Sequence, residues 1–121
     1  MKKEKSEWLI EIYEPMLECY IRVLYWEWGR EKFEEYVREV SWLVDYKSNG
    51  NADGLTCPRG IFLKENLTYV MWVENVNNLS VFMHELYHLV SAIDREYTIG
   101  EEACAFLFGY VVREFNNRFI S

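Results

Sequence analysis

The stretch His84-Glu85-Leu86-Tyr87-His88 constrains this chain more than any other, because it sets H-E-x-x-H inside an apolar segment with helical periodicity. Phe82, Leu86, Leu89, Val90 and Ile93 follow the i, i+4, i+7, i+8, i+11 spacing of a buried stripe. A helix over residues 79–96 is therefore expected, with Asn78 or Ser80 as its N-cap and Asp94-Arg95-Glu96 marking its solvated end. Positions four apart stack on one helix face, so the imidazoles of His84 and His88 reach a single ion together. Glu85 lies about 100° round from His84. That offset puts its carboxylate beside the ion rather than on it, where it can take a proton from a metal-bound water. Both histidines of the chain are spent on this motif.

A length of 121 residues suits one domain, residues 1–121, with a single core. With half the residues hydrophobic and only two prolines, the chain is globular rather than disordered. A net charge of -7 argues against a nucleic-acid backbone or an anionic membrane as partner, since both are bound through basic surface. Cys19, Cys57 and Cys104 are odd in number and far apart, which is neither a disulfide framework nor a C-x-x-C knuckle. A reducing cytoplasm fits them. Met1-Lys2-Lys3-Glu4-Lys5 has the charge of a signal-peptide start, but Glu7, Glu11, Glu14 and Glu18 interrupt the apolar residues after it. Neither an export signal nor a membrane span is expected.

Over residues 6–28, Trp8, Leu9, Ile12, Met16, Tyr20, Val23 and Leu24 keep helical spacing, with Pro15 kinking one helix or starting a second. Gly29 ends the element. Residues 30–46 read as a further helix, with Phe33, Val37, Val40 and Val44 on one side and a solvated, charged face on the other. Ser48-Asn49-Gly50-Asn51-Ala52-Asp53-Gly54 is a strong turn signal, after which the pattern changes to strand. Strands are expected at residues 55–57, 60–63 and 67–73, with Lys64-Glu65-Asn66 as a hairpin turn. Along the last of them Tyr69, Met71 and Val73 face one way and Val70 and Trp72 the other, which suits a strand covered on both sides.

Thr98-Ile99-Gly100-Glu101 has the form of a capping box, predicting a second helix that begins there and runs to about residue 118. Within it Glu102, Ala105, Gly109 and Val112 form a face of small residues that would let two helices approach closely. Catalytic zinc usually has three protein ligands and one open position. With both histidines used, the third is a carboxylate or a cysteine. If Glu101 folds back to cap Thr98, Glu102 is left to project toward the metal; Glu101 stays the alternative. Cys104 points about 200° away from Glu102 on the same helix, and Asp94 is too near the end of the first helix to turn back easily. The expected class is thus α+β: two N-terminal helices, a small sheet of about three strands, the H-E-x-x-H helix and a C-terminal glutamate helix.

His84-Glu85-Leu86-Tyr87-His88 followed by Glu101-Glu102-Ala103-Cys104-Ala105-Phe106 resembles the signature of the gluzincin metallopeptidases. In size the chain is similar to minigluzincins and to small zincin-like proteins encoded by phages, and the resemblance covers at best residues 55–115. It implies a minimal zincin-like domain that hydrolyses peptide bonds with zinc-activated water. His84, His88 and Glu102 would hold zinc and Glu85 would act as general base, then proton donor. An extended peptide or protein substrate would lie by strand addition along residues 67–73. Tyr87, Tyr97 and Tyr110 are candidates for the oxyanion donor by residue type only. The rival expectation is a zincin-like zinc-binding protein that docks a protein partner without turnover, or a helical interaction protein in which the motif is accidental. A Cys57 thiolate blocking the metal is a minor variant, since a buried strand-end cysteine is the commoner case.

Overall fold

Where helical spacing over residues 6–28 predicts a helix, the chain forms a β-hairpin. The structure is a computed structural model that describes residues 9–25, 29–41 and 53–120. Strand β1 (Leu9–Glu14) pairs antiparallel with β2 (Cys19–Tyr25), Ile12 opposite Ile21. The same residues satisfy a two-residue period, and that period wins. Ile10, Ile12 and Glu14 of β1 and Cys19, Ile21 and Val23 of β2 alternate into the interior. Pro15 begins the turn instead of kinking a helix, in a place where its missing N–H is not needed. The buried Glu14 carboxylate accepts hydrogen bonds from the N–H groups of Met16 (2.8 Å) and Leu17 (2.7 Å), and Glu18 closes the turn with φ 51°. Across the pair, Arg22 meets Glu11 at 2.7 Å.

Helix α1 (Gly29–Ser41) comes next, shorter than residues 30–46; residues 42–46 and residues 48–52 of the turn signal lie outside the described residues. Strands β3 (Gly54–Thr56), β4 (Ile61–Leu63) and β5 (Asn66–Val73) stand close to the expected positions. Lys64 and Glu65, at φ 50° and 71°, make the two-residue turn whose positive φ values match the twist of a β4–β5 hairpin. Strand β5 pairs in parallel with β2 on one side and antiparallel with β3 and β4 on the other. The sheet is therefore mixed and five-stranded, not three-stranded, and β5 is its centre, not the edge along which a substrate could add. The segment expected to be helical supplies the strand that occupies that edge. Among the described residues the sheet ends at β1 on one side and at β3 and β4 on the other.

Both faces of β5 are covered, as its two apolar faces require. Leu24, Val70 and Trp72 pack with Phe33 and Val37 of α1. On the opposite face Ile21, Tyr69 and Met71 meet α2 (Leu79–Tyr97) and α3 (Glu101–Ile120) through Phe82, Leu86, Leu89, Leu107 and Val111. Phe82 stacks on Phe115 with ring centroids 3.9 Å apart. Helix α3 is tied to β1 by the Tyr110 hydroxyl, which donates to the carbonyl of Tyr13 at 2.8 Å.

At its start α2 is capped by Asn78, whose side chain accepts from the Val81 N–H. Its end departs from expectation: Thr98 is no capping-box residue of α3 but the left-handed C-cap of α2, its N–H on the Asp94 carbonyl at 2.7 Å. The Asp94 carboxylate then accepts from the Gly100 N–H at 3.0 Å. The small-residue face of α3 is also not the helix contact. Ala105 and Gly109 are exposed, and a Cβ on Gly109 would meet nothing within 4 Å. The class is α+β with three helices and a mixed sheet. Among the described residues no helix is long and apolar enough to cross a membrane.

Candidate metal centre

Burying Phe82, Leu86, Leu89 and Ile93 turns the opposite face of α2 to solvent, and that face carries His84 and His88. Their Nε2 atoms stand 3.1 Å apart, with the rings edge to face at 84°. Two ligands bonded at 2.0–2.1 Å to one tetrahedral ion keep about 3.3 Å between them. The pair thus already holds its nitrogens close to the separation a shared ion needs. Tyr87 flanks His88 at 6.1 Å between ring centroids.

Glu85 is treated differently from its histidine neighbours. It is 7 % exposed and turned under the edge of the sheet, against β3. The Thr56 hydroxyl lies 2.7 Å from Glu85 Oε1 and 2.9 Å from the Glu85 carbonyl oxygen. Two residues earlier, Gly54 makes the approach possible, since a Cβ there would fall 2.8 Å from Glu85 Cγ and 2.8 Å from Val81 Cγ1. Glycine at this position is a matter of space, not of backbone freedom. Neither Thr56 nor Gly54 announced itself in the sequence, because the contact spans 29 residues and no local pattern encodes it.

The first turn of α3 carries both glutamates into solvent. Glu101 lines a cavity of about 780 Å³ between α2 and α3, together with Tyr87, Ser91, Asp94, Cys104 and Phe108. Glu102 is exposed on the same turn and does not line that cavity. With Thr98 serving α2, the capping premise that separated Glu102 from Glu101 no longer holds. Among the described residues no three His, Cys, Asp or Glu side chains stand close enough to hold one ion. His84 and His88 are brought together; neither glutamate joins them.

The thiol of Cys104 is pushed up by burial and by the carboxylates of Asp94 and Glu101. Burial likewise raises Cys57, whose Sγ lies 3.3 Å from the Arg59 carbonyl, inside the core on the α1 side. That position turns it away from the histidines. Of the tyrosines, Tyr87 and Tyr97 are exposed, while Tyr110 is committed to β1.

Compared with known proteins, the chain matches no protein-family model, no curated protein and no solved structure.

Proposed function

We propose that this chain is a zinc-dependent metallopeptidase, a minimal gluzincin-like zincin in which His84 and His88, with Glu102 or Glu101 as third ligand, would hold the metal and Glu85 is the general base. The observation that carries this reading is the paired Nε2 atoms at 3.1 Å on the exposed face of α2. Imidazole and carboxylate donors suit zinc best among the common divalent ions. When bound, the ion supplies acidity to a water molecule and polarises the scissile carbonyl. His84 and His88 would hold the ion through their paired Nε2 atoms. Glu85 accepts the water's proton and passes it to the leaving amine. The substrate is a peptide or protein in extended form. Strand β3, at the end of the sheet among the described residues, and not β5, is the strand that stands next to Glu85.

Glu85→Gln tests the reading: it abolishes hydrolysis and leaves zinc binding within a few-fold of wild type. Zinc titrations of Glu102→Gln beside Glu101→Gln decide the third ligand, the true one losing more than the ~10–100-fold that loss of an outer partner brings and the other little. Wild type that binds zinc stoichiometrically but cleaves no member of a diverse peptide library sinks the enzyme.

A second reading has its own support in the exposure of both glutamates and of Tyr87 and Phe106 (64 % and 56 % exposed). It is a zincin-like zinc-binding protein without turnover that docks a protein partner, Glu85 serving only to orient the histidines. Its three thiols are free, in keeping with a reducing compartment.

A further inference from the structure

We infer that Thr56, on β3, is a positioning residue that fixes the carboxylate of Glu85 for proton transfer. The inference rests on the hydrolase reading above and deepens it. A glutamate at helix position 85 has three side-chain torsions, so the motif alone does not decide where its carboxylate stands. Here two contacts decide it. The Thr56 hydroxyl, at 2.7 Å from Oε1, gives that oxygen its donor, and the same hydroxyl lies 2.9 Å from the carbonyl of Glu85. Gly54 meanwhile lets the backbone of β3 close against Glu85 Cγ, which a side chain at 54 would push away.

The division of labour comes from the two oxygens. A carboxylate offers several lone pairs, and Thr56 occupies one oxygen only. The other is left for the proton in flight. Thr56 is anchored in turn by the ladder, since β3 pairs with β5 at Thr56↔Met71, and Met71 is fully buried. The base is thus referenced to the centre of the sheet while the histidines are referenced to the helix. Holding a reacting group to within about 1 Å is worth roughly 100-fold in rate.

The experiment compares zinc-loaded wild type, Thr56→Val, Thr56→Ser and Glu85→Gln on the best peptide from a library screen, with crystal structures of wild type and Thr56→Val. Expected for Thr56→Val is a kcat about 30- to 100-fold lower with zinc affinity and KM nearly unchanged. Thr56→Ser restores kcat to within a few-fold. A Thr56→Val protein that keeps its kcat overturns the inference, as does an equal loss in the Ser variant, which would mark a packing role. If wild type binds zinc and cleaves nothing, the hydrolase reading fails and the structures decide the clamp. Glu85 Oε1 on the Thr56 hydroxyl in wild type, and displaced in Thr56→Val, sustains it; an unmoved carboxylate removes it.

Discussion

His84 Nε2 and His88 Nε2 face each other at 3.1 Å across one turn of α2, on a surface from which no core residue needs them. Because both rings are exposed, replacing one takes little from the fold. His84→Ala should change the stability of the metal-free protein by no more than about 0.5 kcal/mol. It should also lower zinc affinity by more than the ~10–100-fold that loss of an outer partner brings. Zinc content by elemental analysis, with thermal melts of both metal-free proteins, checks the two halves together. Wild type that takes up no zinc when it is offered refutes the metal centre, and a large loss of stability in the metal-free variant would mean the ring is structural.

Glu14 shows how a charge can be buried for the sake of a turn. Fully enclosed, it accepts from the N–H groups of Met16 and Leu17, the two donors that the β1–β2 turn leaves over. Glu14→Ala orphans both. At about 1 kcal/mol net for each hydrogen bond lost, a loss of about 2 kcal/mol is expected. Glu14→Gln, which keeps one oxygen acceptor, should fall between the two. Urea unfolding measures the difference; a change below about 0.5 kcal/mol would show that water satisfies the turn without the carboxylate.

That hairpin is also where the sequence was hardest to read. Leu9, Ile12, Met16, Tyr20 and Val23 fit a helix, while Ile10, Ile12, Ile21 and Val23 fit two strands, and Ile12 and Val23 belong to both patterns. What decides is β5, which lies more than 40 residues away and offers β2 a parallel partner, Ile21 against Tyr69. A non-local pairing leaves no local trace. By contrast α2 was legible nearly to the residue, because its stripe, its Asn78 cap and its histidine spacing all agree. The histidine pair was legible for the same reason. The seat of Glu85 was not, since Thr56 and Gly54 reach it only after the sheet has formed. Thr98 misled through its local pattern, the turn between the helices using it to finish α2 and Asp94 to receive Gly100.

Tyr110 separates an anchoring role from a catalytic one. Its hydroxyl donates to the Tyr13 carbonyl and so holds α3 against the outer strand of the sheet. Tyr110→Phe should lose about 1 kcal/mol, the net worth of one hydrogen bond, and leave any peptidase activity within a few-fold of wild type. A fall of roughly 100-fold or more in kcat with stability preserved would make Tyr110 an oxyanion donor after all. Unfolding curves and steady-state rates on the same preparations distinguish the outcomes.

The pH response of the core should appear on the alkaline side. Cys19 is fully buried, and burial first, then the Glu14 carboxylate, pushes its thiol up to about 12. Burial also raises the Tyr69 hydroxyl, with the nearby Glu96 carboxylate adding to it. An unfolded thiol loses its proton near its ordinary value of about 8.5. Between that value and about 12 the folded chain keeps a proton that the unfolded chain has given up. Unfolding is then coupled to proton release, and stability falls as pH rises through this window. Below the ordinary thiol value the contribution is fully present and flat. Cys19→Ala removes the thiol's share, so its urea midpoint should decline less steeply than wild type's from roughly pH 8 to roughly pH 11. The slopes are the quantity to compare, since the lost sulfur lowers the variant's absolute stability at every pH. Parallel slopes would mean that the thiol remains protonated in both states, or ionises in both, over that range.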